Sequence, residues 1–200
     1  MRLSWRQTNL NSCGAAALMV ALAEMSCGDL STEREMEIWQ EIRAQQEELG
    51  SMPGRIAVRA HREGLDAVVW LDDARLEQAE KILAPRAAFN VCTLLEEHRR
   101  GLAEADKAGV PIRHDAVDPN IILNLLTDGC RLMVAVVVAA ADNKVNLHWF
   151  LIRQESGSLW VMDPANGQNV CASQDEFRHL LLSQCFTGAA VTILPRQRKV

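Results

Sequence analysis

The six cysteines, at positions 13, 27, 92, 130, 171 and 185, form no CxxC pair and no Cys/His cluster at zinc spacing. A structural zinc site is therefore not expected. Long hydrophobic runs are also missing. The longest, LMVAVVVAAA at 132–141, is too short to span a bilayer and long enough for a buried strand. The opening MRLSWRQTNLN lacks the apolar stretch that follows a basic start in a Sec-type signal peptide. A cytoplasmic protein with reduced thiols is the expectation, with secretion by a non-classical route left open. No excess of positive charge exists: 21 Lys and Arg against 26 Asp and Glu give a net charge of −5. That balance argues against a general nucleic-acid binder. The one basic run, PRQRKV at 195–200, reads as a frayed, solvated end. There is no internal repeat and no low-complexity linker.

What is present is enough apolar residue, 48% of 200, to bury a sizeable core, and the chain reads as a single domain over 1–200. Residues 13–25, CGAAALMVALAEM, are apolar nearly all round and predict a buried helix. STEREMEIWQEIRAQQEEL, 31–49, predicts an amphipathic helix opened by a Thr32/Glu35 capping box and stopped at Gly50. A short helix over 53–64, with Pro53 at its start and Gly64 at its end, precedes a strand over 65–71. Helices over 74–83, 86–109 and 118–129 follow, with Pro85 separating the first two and Asp118 capping the third. The last third changes character. Strands are predicted over 131–139, 148–154, 158–163 and 189–195, with a helix over 173–184 capped by Ser173 and Glu176. Helices first and a largely antiparallel sheet second make an α+β fold, with the sheet packed on the first buried helix.

A cysteine at a helix N-terminus gains from the helix dipole, which favours thiolate over thiol. Cys13 begins the first helix, and Gly14 with Ala15 to Ala17 permits close approach and tight packing. A nucleophilic thiolate needs an imidazole partner, and the imidazole an orienting group. NLHWFLI places His148 at the start of one predicted strand, and LWVMDPANG places Asp163 at the end of the next. In an antiparallel hairpin those ends meet, so the two are expected to be cross-strand neighbours. Gln7, six residues before Cys13, offers a neutral amide donor for an oxyanion hole shared with the Cys13 N–H. Trp149 turns to the opposite strand face, into packing, and Trp5 is a candidate for lining the cleft. His61, His98, His114 and His179 stand among charged neighbours and are expected at the surface. The stretch EEHRRGLAEADKAG, 96–109, reads as a solvated helix face.

These residues together resemble the C39 peptidase family of papain-like cysteine peptidases, which includes bacteriocin-processing domains fused to ABC exporters. The resembling elements are Gln7, Cys13-Gly14 followed by AAALMVAL, His148 followed by WFLI, and Asp163-Pro164 with Gly167. The likeness spans nearly the whole chain. Three departures stand out. Ser12 occupies a position where the family often has Asp. The stretch from cysteine to histidine is longer than in the exporter domains, and the excess is placed in a helical insertion at about 85–117, which would cap the cleft or select substrates. Residues 1–200 hold neither a transmembrane domain nor a nucleotide-binding cassette, so the exporter role is not expected to carry over. The opening QTNLNSCG is also similar to that of phytochelatin-synthase-type transpeptidases.

The resemblance implies a papain-like fold and a cysteine peptidase in which Cys13 is the nucleophile, His148 the base, Asp163 its orienting group and Gln7 the oxyanion donor. It implies a peptide or protein substrate, a bacterial processing or effector role, and no metal or organic cofactor. Neither nucleic acid nor a membrane segment is expected, and the oligomeric state is left open. Glutamine deamidase, acyl or peptidyl transferase and non-catalytic peptide-binding module remain as alternatives on the same fold, as does a purely structural Cys13.

Overall fold

A computed structural model describes residues 3–26, 28–87, 89–127, 129–140 and 143–196; Cys27 and the last four residues of the basic tail lie outside these. The chain opens with an extended segment and then α1 (Cys13–Ser26), α2 (Thr32–Ile42) and α3 (Pro53–Arg62). Next come β1 (Asp66–Leu71), α4 (Asp73–Leu83), α5 (Val91–Lys107), β2 (Ile112–Arg113) and α6 (Pro119–Thr127). The last part holds β3 (Arg131–Ala139), β4 (Val145–Glu155), β5 (Ser158–Asp163), β6 (Gln168–Ala172), α7 (Gln174–Leu182) and β7 (Phe186–Leu194). The strands form one seven-stranded sheet in the order β2-β1-β7-β3-β4-β5-β6. Every pairing is antiparallel except β1 with β2. The α+β layout expected from the sequence, early helices on a mainly antiparallel sheet, is the one observed.

Both faces of the sheet are covered. On one, α1, α2 and α3 pack over Met133, Ala135, Trp149, Leu151 and Val191. On the other, Ile122 and Leu126 of α6 and Phe177 and Leu181 of α7 pack over Leu132, Val134, Ile152 and Phe186. A central strand buried on both sides reads as a continuous apolar run, which is why β3 stands out in the sequence. The α1 helix lies innermost, with residues 13–23 all buried.

Four expectations are corrected. The predicted 31–49 helix ends at Ile42, where Arg43 turns extended and pairs antiparallel with Ser51. Ala44 N donates to Gly50 O and Met52 N to Ile42 O. Gly50, at φ 72, makes the reversal, and Ala44, Leu49 and Met52 drop into a small apolar cluster. This tertiary pairing overrides the helical propensity of QQEEL. The N-cap of α2 is Ser31, not Thr32, and it accepts from Arg34 N. Helix α5 starts at its Asn90 cap instead of at residue 86, because Ala87 bridges to Val145. Strands β2 and β6 were not anticipated: β2 is two residues long, and β6 is an edge strand with no buried residue to give it an apolar rhythm. The Ser173/Glu176 capping box on α7 is present as expected.

Segment 85–117 supplies α5 and edge strand β2. It joins α3 through two glycines. A Cβ on Gly54 would stand 2.1 Å from the Gly101 carbonyl oxygen, so α3 tolerates no side chain there, whereas one on Gly101 would press on Met52 Cβ at 3.2 Å. The charge-rich face of α5 is only partly solvated. Glu97 is buried and accepts from Arg55 Nη1 at 3.1 Å, Arg100 Nη1 at 2.6 Å and Gln45 N at 3.2 Å.

Candidate active site

Cys13 is the first residue of α1 and is 5% exposed. Its neighbour must be glycine: a Cβ at Gly14 would stand 2.4 Å from Ser51 Oγ and 3.2 Å from the Trp149 ring. The close approach foreseen at Gly14 is thus made by the chain's own Ser51. The thiol lies on a small cleft of about 40 Å³ lined by Leu10, Asn11, Gly50, Ser51, Asn146 and Trp149, among others. Burial pushes the thiol up to about 11, against the pull of main-chain N–H groups from Trp149, Gly14 and Cys13 itself, and the Asp163 carboxylate adds a small upward push. The main-chain N–H groups at the helix start pull toward thiolate, but burial outweighs them.

His148 is the fourth residue of β4, not its first, because that strand begins at Val145. Its ring donates or accepts through Nε2 at 2.7 Å from Asp163 Oδ1, and since a carboxylate only accepts, Nε2 carries the proton. The pair is diagonal rather than directly opposed: the β4–β5 ladder sets Leu151 against Met162, so the same register would put Asp163 beside Phe150. Phe150 meets the imidazole edge-on, with centroids 5.0 Å apart. Asp163 is itself fixed by the turn after β5, where it accepts from Ala165 N at 2.9 Å and Asn166 Nδ2 at 3.2 Å. Gly167 completes that turn at φ 70, with Arg6 of the N-terminal segment packed so close that a Cβ would stand 3.0 Å from its N.

Gln7 is tied to the same turn, its N–H donating to Pro164 O at 2.8 Å. Its side-chain amide, however, donates to Asn9 O and to Leu10 O, both at 2.8 Å. Both amide protons are spent on the chain's own loop, while its Oε1 is buried without a hydrogen-bond partner among the described residues.

The residue missed from the sequence is Glu35. It is fully buried on α2, not a capping-box partner. Its carboxylate accepts from Trp5 Nε1 at 2.6 Å, Thr8 Oγ1 at 2.6 Å, Ser12 Oγ at 2.5 Å and Thr8 N at 2.9 Å. Glu35 therefore holds the whole segment that carries Gln7 and leads into Cys13. Ser12, which departs from the family's Asp, receives its carboxylate from α2 instead. A signal for this was available: Glu35 is in phase with Ile38, Trp39 and Ile42, the buried face of α2. Trp5, which donates to Glu35 and packs against the main core, is not among the residues lining the cleft.

Trp149 is buried as expected, its indole donating to Ser51 O at 3.2 Å. His114 and His179 are exposed, whereas His61 and His98 are half-buried. Burial, with Arg99 and His114 adding to it and Asp73 opposing, pushes His98 down to about 4. The folded chain thus keeps His98 neutral where the unfolded chain protonates it. The resulting stability is complete above about pH 6.5 and is lost as pH falls toward 4. His98→Leu is expected to shrink the drop in Tm between pH 7 and pH 5; an unchanged drop would acquit His98. No group of three or more His, Cys, Asp or Glu among the described residues is placed to hold a metal ion, and no helix there is long and apolar enough to cross a membrane.

Among solved structures, the peptidase domain of Streptococcus ComA, a bifunctional ABC transporter involved in quorum sensing, is similar at 13% identity and a TM-score of 0.49, over 98% of this chain and 100% of that one. No curated protein matches significantly. The model of the family described as "Peptidase_C39 like family" matches residues 4–184, a span that includes Gln7, Cys13, His148 and Asp163, and the chain belongs to that family.

Proposed function

We propose that this chain is a cysteine peptidase using Cys13, His148 and Asp163. The observation that carries the reading is the 2.7 Å bond from His148 Nε2 to a turn-fixed Asp163, made on the strand whose next residue, Trp149, lies against the Cys13 thiol. With Nε2 committed to the carboxylate, Nδ1 is the nitrogen left to serve the thiol. As a substrate carbonyl enters the cleft, the Cys13 proton passes to Nδ1 and sulfur bonds to the carbonyl carbon. Asp163 stabilises the imidazolium that forms. The Cys13 N–H faces the developing oxyanion, and Gln7 joins it by exchanging one loop carbonyl for the substrate oxygen. The Leu10 carbonyl is the easier to release, since Leu10 is 92% exposed at the loop tip. Imidazolium then protonates the leaving amine, and water resolves the thioester.

Peptide-bond cleavage is preferred to side-chain deamidation on the strength of the family. The test is incubation with a proteome-derived peptide mixture, read by mass spectrometry. New N-termini with wild type and none with folded Cys13→Ala are expected. A mass gain from amide-to-acid conversion, without cleavage, would identify a deamidase. No change with either protein, in the presence of binding, would leave a peptide-binding module.

A further inference from the structure

Arg153, on β4, is 2% exposed and spends its guanidinium on three other parts of the chain. Its Nη1 stands 3.1 Å from Glu24 Oε1 on α1. Its Nη2 donates to Leu3 O at 2.9 Å and to Asn169 Oδ1, on β6, at 2.8 Å. The Asn169 amide donates to the same Leu3 O at 3.2 Å. Each part met at this junction leads to a candidate site residue. Helix α1 starts with Cys13, and β4 holds His148 five residues before Arg153. Leu3 comes four residues before Gln7, and β6 pairs with β5, which ends in Asp163. Resting on the peptidase reading, the geometry points to Arg153 as a positioning residue, which sets the mutual placement of Gln7, Cys13, His148 and Asp163 from the far end of the elements that carry them.

Distance is no obstacle to that role. Glu24 is eleven residues from Cys13 along α1, about 16 Å at the helical rise. Arg153 is about 17 Å from His148 along β4 at the rise of a strand. Helix and strand are stiff over such lengths, so a slide at the junction reaches the site almost undiminished, and a misplacement of about 1 Å there can cost roughly a hundredfold in rate. Between Gly14 and Ala23, α1 offers the sheet only apolar side chains, and the attraction that buries them is non-directional. Glu24 is the first polar side chain after Cys13 on this helix, so its contact with Arg153 is a directional tie at that end. Arginine suits the task because its planar fork holds several donors in fixed directions, whereas lysine carries one ammonium on a flexible stem. The partners do not depend on Arg153 for satisfaction. Glu24 also accepts from Arg131 Nε at 2.7 Å, and Leu3 O keeps its bond from Asn169. Arg131 stands directly opposite Arg153 in the β3–β4 register, so removing one guanidinium also relieves a like-charge pair. A folded protein without the Arg153 fork is therefore expected, and in it the placement of the site can be read apart from stability.

The test sets Arg153→Met, which keeps the length of the side chain and removes the fork, beside Arg131→Met. The second variant takes a charge from the same Glu24 but leaves the Arg153 contacts in place. Turnover is measured on the peptide that wild type cleaves fastest in the proteome-derived mixture. Arg153→Met should lower kcat about tenfold to a hundredfold with KM within about threefold of wild type, the pattern of lost alignment and not of lost binding, while Arg131→Met should keep kcat within about twofold. Equal losses in the two variants, or an unchanged kcat in Arg153→Met, overturn the inference. A second arm needs no turnover: the Gln7, Cys13 and Gly14 amides and the His148 Nε2 proton are followed by NMR. These resonances should move in Arg153→Met and hold their positions in Arg131→Met. Such shifts support the positioning role even if wild type cleaves no peptide and the peptidase reading fails. Unmoved resonances overturn it, even if wild type proves to be a peptidase. Should Arg153→Met not fold, Arg153→Lys answers both measurements, since it keeps the charge beside Glu24 and gives up the fork; a fall in kcat of about fivefold to tenfold is then expected.

Discussion

Glu35→Ala is expected to lower folding stability by on the order of 4 kcal/mol, read as a fall in the urea midpoint. The carboxylate is fully buried, and its loss leaves the Trp5 indole N–H, the Thr8 N–H and hydroxyl, and the Ser12 hydroxyl without their acceptor. The Ser12 hydroxyl has a second acceptor in Asn9 O at 2.8 Å and loses least. Trp5 is half-buried and Thr8 exposed, so water can take up part of their loss, and each stranded donor costs toward the low end of about 1–3 kcal/mol. Glu35→Gln keeps one acceptor oxygen but turns an NH₂ toward other donors, so it should recover about half of the loss. The damage should also be local. Hydrogen exchange is expected to rise first over residues 5–12, and on the proposed function turnover should fall with it, since that segment carries Gln7 and leads into Cys13 at the start of α1. If both variants unfold at the wild-type midpoint, the carboxylate is not what holds the segment.

Glu35 also shows where a sequence stops being legible. The letters that spell a capping box, a hydroxyl residue followed three positions on by Glu, are the same letters that here place a carboxylate on a buried helix face. Local pattern cannot separate the two, because the deciding partners are 23 to 30 residues away in the chain. Where the signal is local or periodic, reading succeeds: β3 and β5 run over the residues expected, 131–139 and 158–163, and Ser173/Glu176 does cap α7. The overrun of α2 has the same origin as the Glu35 error. Nothing inside QQEEL announces that Arg43 will pair with Ser51. At the site, spacing brought His148 and Asp163 together because one hairpin joins them. The state of the Gln7 amide and the Cys13 thiol was beyond sequence, since each depends on which main-chain groups surround it in three dimensions.

Alkylation of Cys13 in the free protein should therefore follow burial and not the helix dipole. With the thiol pushed up to about 11, roughly one molecule in ten thousand carries the thiolate at pH 7. The rate with limiting iodoacetamide should climb about tenfold per pH unit from pH 6 to pH 9, a thousandfold in all, with no plateau near neutrality. At pH 7 the exposed Cys92, Cys171 and Cys185 should be modified before Cys13. His148→Ala should abolish turnover and leave that slope in place, because in the resting protein main-chain N–H groups, not the imidazole, hold the thiol. A fast, flat rate between pH 6 and pH 8 that collapses in His148→Ala would mean a thiolate–imidazolium pair at rest, and the general-base account would have to give way to it. The same shift carries a stability consequence of fixed sign. The unfolded thiol ionises near its ordinary 9.0, whereas the folded one stays protonated to about 11. Stability contributed by the buried thiol is thus complete below about pH 9 and is lost as pH rises through that interval. Cys13→Ala should unfold with a shallower loss of Tm over the same range. On the proposed mechanism a thiol held high by burial would be deprotonated only as the substrate carbonyl arrives, with His148 taking the proton.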